Sequence, residues 1–236
     1  VSPYTFIATI QAILLAGAMP VFVDTNPATF QIDADKIEQK ITSRTRAILP
    51  VHIYGIPSDM EKIMDIAKRH DIYVVEDACQ AWLAEIDGKK MGTFGDAGCF
   101  SFQNSKHLPI GEGGAIVSDN ESYMDRCFSH HNNGRSYGTV RSEGSGYPLV
   151  GTNNRMTEYQ AAIGLAMLKR LEEQTKRRWS NGEYLREQLR NIPGILPVEL
   201  YDHVTRAVYH LFPFRYKKET FNGLPRDKFL KALNAE

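Results

Sequence analysis

Ile72-Tyr-Val-Val-Glu-Asp77-Ala-Cys-Gln80 and, further along, Cys99-Phe-Ser101-Phe-Gln-Asn-Ser-Lys106 running into Gly111-Glu-Gly-Gly114 decide how this chain is read. The first stretch is a short apolar run closed by acids, the pattern of a buried strand ending in a carboxylate. The second reads as another strand, followed by a hydroxyl, a lysine and a glycine-rich turn. An acid and a lysine held by neighbouring strand ends suit a pyridoxal phosphate site. The lysine amine condenses with the cofactor aldehyde as a Schiff base. The carboxylate pairs with the pyridinium nitrogen and keeps the ring an electron sink. Ser101, ahead of the lysine, can help hold the phosphate.

Outward from these stretches, strands and helices alternate. Helices are expected over Thr5 to Gly17, Ala34 to Ile41, from a Ser58/Glu61 capping box to His70, and over Glu121 to His131. Two more are expected over Thr157 to Lys176 and Asn181 to Asn191, and a last one over Arg226 to Asn234. Strands are expected at Pro20 to Asp24, Arg46 to His52, Ile72 to Glu76, Ala97 to Phe102, Gly114 to Ser118 and Tyr209 to Tyr216. Asn132 to Pro148, rich in Gly, Ser, Asn and Tyr, reads as a loop. The alternation predicts βαβ units and an α/β fold with a mostly parallel, covered sheet. Ligands bind at the carboxyl ends of such strands, where Asp77 and Ser101 fall. Residues 1–174 are expected to form a large domain and 175–236 to begin a smaller α+β domain. The chain reads as a piece of a longer protein, with the N-terminal part of the large domain and the end of the small one absent.

Composition removes other classes. Of the 236 residues 42% are hydrophobic, and 28 basic side chains balance 28 acidic ones. A polyanion-binding domain is usually clearly basic, and no apolar run approaches the roughly 20 residues that span a bilayer. Nucleic-acid and membrane partners are therefore not expected. Cys79, Cys99 and Cys127 lack CxxC spacing and fit a reduced, cytoplasmic protein. Gly111 to Gly114 lacks the Walker lysine and the dinucleotide spacing, so nucleotide binding is set aside. A metal site at His52, His130 or His131 and a serine-hydrolase elbow are not expected either.

Each candidate has a plain alternative. Most lysines are surface lysines, but Lys106 stands in a small polar stretch before a turn whose glycines allow close approach of a ligand. There it would also move the proton between substrate and cofactor carbons. Asp77 alone would read as a strand-end or helix-cap carboxylate; with Lys106 it reads as functional. Gln80 is either a polar loop residue or a contact to the cofactor ring. Phe6 is either core or a stacking partner on the opposite ring face.

The chain resembles the DegT/DnrJ/EryC1/StrS family of pyridoxal phosphate-dependent aminotransferases. The resemblance rests on Pro3-Tyr-Thr-Phe-Ile-Ala-Thr9, Val51-His-Ile-Tyr-Gly55, Glu76-Asp-Ala-Cys-Gln-Ala81, Gly92-Thr-Phe-Gly-Asp96, Ser101 to Lys106 with Gly111 to Gly114, Gly151-Thr-Asn-Asn-Arg-Met-Thr157 and Gln160-Ala-Ala-Ile-Gly164. It covers nearly the whole chain and implies the aspartate aminotransferase-like fold (fold type I), with its seven-stranded type of sheet. It implies Lys106 as the Schiff-base lysine, Asp77 at the pyridine nitrogen, Ser101 at the phosphate, and Phe6 and Gln80 flanking the ring. It also implies a homodimer with shared sites, Asn153 reaching the neighbouring subunit's phosphate. The implied reaction moves an amino group from glutamate or glutamine to a nucleotide-linked keto-sugar or a cyclitol ketone, for surface polysaccharides or antibiotics. A branch that performs 3-dehydration carries histidine in place of the lysine, and Lys106 points away from it. Other reactions on the same fold, such as a lyase or a dehydratase, use the same acid and lysine; a non-catalytic regulatory relative is the remaining alternative. Cys79, Trp82 and Asn154 depart from the residues usual in the family, and Trp82 is expected to pack rather than shape the pocket.

Overall fold

The computed structural model describes residues 1–142 and 146–236. Helix α1 spans Ile7–Leu15, strand β1 Ala47–Ile48, helix α2 Met60–His70 and strand β2 Tyr73–Asp77. Strands β3 (Glu85–Ile86) and β4 (Lys89–Lys90) form a hairpin, followed by β5 (Ala97–Ser101), β6 (Gly114–Val117) and helix α3 (Glu121–His131). Helix α4 covers Glu158–Arg190; β7 (Ile195–Pro197), β8 (Val204–Arg206), β9 (Phe214–Tyr216) and α5 (Arg226–Leu233) complete the order.

The central sheet runs β1-β2-β5-β6. β1, β2 and β5 are parallel, and β6 returns antiparallel to β5. The register sets Asp77 opposite Cys99 and Ser101 opposite Gly114. Two parallel neighbours must present their carboxyl ends at one edge, so the end of β2 and the end of β5 open on the same side of the sheet. Below them, Met60, Ile63, Ile66 and Ala67 bury one face of α2 on Ile48 and Val74. Each large apolar side chain so buried contributes roughly 1.5–3 kcal/mol.

Four strands make up this sheet among the described residues, fewer than a seven-stranded type. Pro20 to Asp24 is not laddered: Val21 and Phe22 are exposed, and only Thr25 bridges Ile32. Along residues 21–23 the backbone meets one residue, Val23 N donating to the Val1 carbonyl and Val1 N to the Val21 carbonyl, and one residue of pairing does not make a ladder. The strand expected at 46–52 is cut to two residues because Pro50 has no N–H to give; its carbonyl still accepts from Asp77 N at 2.9 Å. Ala34 to Ile41 forms two successive 3-10 turns, the first capped by Asp33, instead of a helix.

The start of α2 also differs. Its cap is Asp59, which accepts from Lys62 N, while Ser58 is fully buried and donates to the Val51 carbonyl and to Gln31. The two helices expected from 157 to 191 are one helix of 33 residues, opened by a Thr157/Gln160 capping box. It passes straight through position 175. The break expected between Lys176 and Asn181 does not occur, and just beyond it a Cβ on Gly182 would lie 2.1 Å from the Tyr209 ring. That glycine serves close packing, not a turn. Between residues 209 and 216 only β9 is strand, and β8 was not expected. The loop expected at 132–148 is irregular apart from isolated bridges, such as Tyr137 to Val140; its positions 143–145 lie outside the described residues.

Candidate active site

A cleft of about 790 Å³ opens at the carboxyl ends of β2 and β5. Phe6, Asp77, Gln80, Ser101 and Lys106 all line it. Five of the six residues singled out from the sequence therefore share one cavity. Asn153 does not: it is exposed, and its backbone bridges Asn132 beyond the cleft.

Asp77 is held from two sides. Thr9 Oγ1 donates to its Oδ2 at 2.7 Å, and Cys79 N donates to its Oδ1 at 3.2 Å. Thr9 is the buried residue of α1, so the helix that carries Phe6 at its N-cap also clamps the acid. The turn after β5 carries the lysine: Lys106 N donates to the Gln103 carbonyl at 2.9 Å, and Ser101 Oγ accepts from Gln103 N at 3.2 Å. None of the ion pairs among the described residues involves Lys106.

Two anchors fix that turn. Leu108 and Ile110 are buried with Phe102 against Leu171 of α4. His107 is 5% exposed and its Nε2–H donates to the Val208 carbonyl at 3.0 Å. The neighbouring His210 lines the cleft. Burial pushes both imidazoles down to about 4, helped by the cations of Arg178 and Lys106, so both are neutral at neutral pH. The glycine turn closes where Phe102 N donates to the Gly113 carbonyl. Gly113 stands at φ +143°, and a Cβ on Gly114 would lie 2.8 Å from the Phe100 carbonyl; both positions require glycine.

Behind Asp77 sits a second, fully buried acid. Glu76 accepts from the N–H groups of Gly92, Phe94 and Gly95 at 2.6–2.7 Å and from His52 Nε2 at 3.0 Å. Ser58 N donates to His52 Nδ1, which leaves the imidazole proton on Nε2, facing the carboxylate. Burial alone would raise the Glu76 pKa; the His52 bond and the backbone N–H groups outweigh it and hold the carboxyl below its usual range. This network ties the end of β2 to the loop entering β5, and so fixes the spacing between Asp77 and the lysine turn. Neither Cys79 nor Cys99 is activated: burial, with Asp77 nearby, raises Cys79, and burial lifts Cys99 to about 11.

Sequence reasoning missed Thr9, Tyr4, Tyr54 and His210, which meet the cleft only through folding. Trp82 packs as expected, its Nε1–H donating to the Ser101 carbonyl and its ring 4.4 Å from that of Phe100. One Gly-x-Ser-x-Gly string, Gly134 to Gly138, is present after all. It follows α3 rather than a strand, with Ser136 N bonded to the Gly146 carbonyl, and so does not form the strand-to-helix elbow that a hydrolase needs. A larger cavity, about 1330 Å³, lies along β6 and α3; it contains neither Asp77 nor Lys106, and chemistry rather than size selects the smaller cleft.

The model of the DegT/DnrJ/EryC1/StrS aminotransferase family matches residues 1–236. The chain belongs to this family. It is 37% identical to the GDP-perosamine synthase of Caulobacter vibrioides, over 98% of this chain and 61% of that enzyme. Among solved structures it resembles DesV of S. venezuelae, with a TM-score of 0.88 and 34% identity over 100% of this chain and 60% of that one. It also resembles NtdA of Bacillus subtilis, solved with bound cofactor PMP, with a TM-score of 0.81 and 36% identity over 94% and 50%. The chain thus spans half to three fifths of the length of these relatives, and its fold is that of the pyridoxal phosphate-dependent aminotransferases of fold type I. No helix among the described residues is long and apolar enough to cross a membrane.

Proposed function

We propose that the full-length protein is a pyridoxal phosphate-dependent aminotransferase that moves an amino group from glutamate or glutamine to a keto-sugar, nucleotide-linked, or to a cyclitol ketone. The observation that carries this reading is the sharing of one cleft by Asp77 and Lys106, at the carboxyl edge of two adjacent parallel strands.

The donor set fits the cofactor. Asp77 spends one lone pair of each oxygen on Thr9 and Cys79; a carboxylate offers about four such sites, which leaves capacity for a ring N–H. Ser101 Oγ accepts from Gln103 N, which leaves its own proton to donate to a phosphate oxygen. Lys106 would hold the cofactor aldehyde, and Phe6 and Gln80 would flank the ring. When bound, the cofactor supplies an electron sink for the carbanion formed at the amino-acid carbon. Asp77 keeps that sink effective by holding positive charge at the ring nitrogen. Lys106 would also be the base that holds and moves the proton on the substrate side of the site. Asn153, exposed on its own chain, would serve the phosphate of a partner subunit in a homodimer. Residues 175–236 would begin the smaller domain, and the working compartment would be the cytoplasm.

Borohydride reduction of the full-length protein with pyridoxal phosphate, followed by peptide mapping, tests the reading. A pyridoxyl group on Lys106, together with donor-dependent conversion of the cofactor to its amine form, is the expected result. No adduct on folded protein would sink the enzyme reading. An adduct without donor conversion would move the reaction to a lyase or dehydratase.

A further inference from the structure

Tyr4 and Tyr54 come from distant parts of the chain, both line the cleft, and their phenol oxygens share a hydrogen bond. Phe30 completes the group, its ring centroid 6.1 Å from each of theirs. Two of the three sit in backbone conformations that bulky residues avoid: φ is +63° at Phe30 and +62° at Tyr54. A left-handed conformation is disfavoured for a non-glycine residue, and such outliers persist only where the surroundings impose them. At Tyr54 the surroundings are the site itself. Its N–H donates to Gln80 Oε1 at 2.8 Å, and its carbonyl accepts from His210 N at 2.7 Å. The next residue, Gly55, lies so close to the site's backbone that a Cβ there would meet the Gln80 carbonyl at 2.6 Å.

We propose that Tyr4 and Tyr54 form the acceptor subsite, which takes a saturated ring carrying hydroxyl groups next to its keto carbon and binds it through the phenol hydroxyls. This rests on the aminotransferase reading and deepens it. The pair holds two O–H protons and spends one on its internal bond. One O–H and several lone pairs remain for a ligand, the complement of adjacent alcohols that both give and receive hydrogen bonds. Burial, with Tyr4 adjacent, raises the Tyr54 hydroxyl pKa, so the group stays a neutral donor and acceptor. Neutral phenols are poor partners for an amino-acid carboxylate, which is best met by a cation. They therefore favour the polyol acceptor over the donor. Gln80 ties the subsite to the cofactor pocket through the Tyr54 N–H.

The test uses the full-length protein, its Tyr4→Phe, Tyr54→Phe and doubly substituted forms, and scyllo-inosose, a polyhydroxylated cyclohexanone, as probe. Removing a hydroxyl from a site built to bond it costs binding while leaving the ring in place. The expected result is a single-turnover acceptor half-reaction that falls roughly ten- to a hundredfold relative to the donor half-reaction in the double variant. Saturation-transfer NMR should show a matching loss of probe binding. A parent that runs the donor half-reaction, with variants that bind and aminate the probe as the parent does, overturns the subsite. So does a parallel fall of both half-reactions, or a parent that does not bind the probe. A parent with no donor half-reaction that nonetheless binds the probe through the two hydroxyls keeps the subsite and overturns the aminotransferase reading.

Discussion

His107 shows how one side chain couples the lysine to the rest of the fold. Its Nε2–H reaches the Val208 carbonyl, and its Nδ1 is the buried side-chain atom without a hydrogen-bond partner among the described residues. A proton added there would be buried beside Arg178, His210 and Lys106, which is why its pKa falls to about 4. An unfolded histidine titrates at about 6.5. Between these values the unfolded chain binds more protons than the folded one, so stability is complete above about pH 6.5 and drains away as pH falls towards 4. Urea midpoints followed from pH 7 to pH 4 should therefore drop more steeply for the parent than for His107→Asn, which keeps an N–H donor but cannot titrate. Equal slopes would mean that His107 has no such role. Asp77, Lys106, Ser101 and Gln80 were legible because each sits beside a strand end that the apolar pattern reveals. Thr9 and His107 were not. Their partners lie on segments remote in sequence, and no local periodicity encodes a contact of that kind.

At the scale of elements, the parallel core was readable and the details of its edges were not. β2 and β5 are short apolar runs with turn signals at both ends, and they form within one residue of where the pattern puts them. Local patterns failed where tertiary packing supplied the reason for a residue. The break expected at residues 177–180 is the sharpest instance, since that stretch is continuous helix in the structure and Gly182, just beyond it, is there for packing. The Tyr209 ring fills the space its side chain would take, and Tyr209 in turn donates to Glu183 at 2.6 Å and stacks on Trp179. Gly182→Ala should improve intrinsic helix propensity by about 1 kcal/mol yet lose more to the clash, as overpacking in a filled site costs about 1–3 kcal/mol. The expected outcome is a net lowering of the thermal midpoint. Helix α4 links the buried Leu171 beneath the lysine turn to the Tyr209 segment, so the variant should also loosen the approach of His210 to the cleft. A raised midpoint would show that the ring moves aside freely.

On the whole molecule, Asn153 is the residue whose position one subunit does not explain. It lies off the cleft of its own chain, next to Arg155, whose guanidinium donates to Asn132 at 2.9 Å. If it completes the phosphate site of a partner, every site needs Lys106 from one subunit and Asn153 from the other. Two damaged proteins then carry complementary halves. In a mixed dimer of Lys106→Ala with Asn153→Ala, one site combines both lesions and the other combines neither. Full-length variants that are each inactive should regain activity when unfolded and refolded together. Random pairing in a closed two-fold dimer makes half of the dimers mixed, so recovery should approach about a quarter of the parent's activity. An Asn153 that acted within its own chain would leave every site with a lesion, and mixing would restore nothing. The same refolded mixture separates a second possibility: if sedimentation finds monomers at the concentration where activity is measured, the shared site is excluded whatever the mixture does.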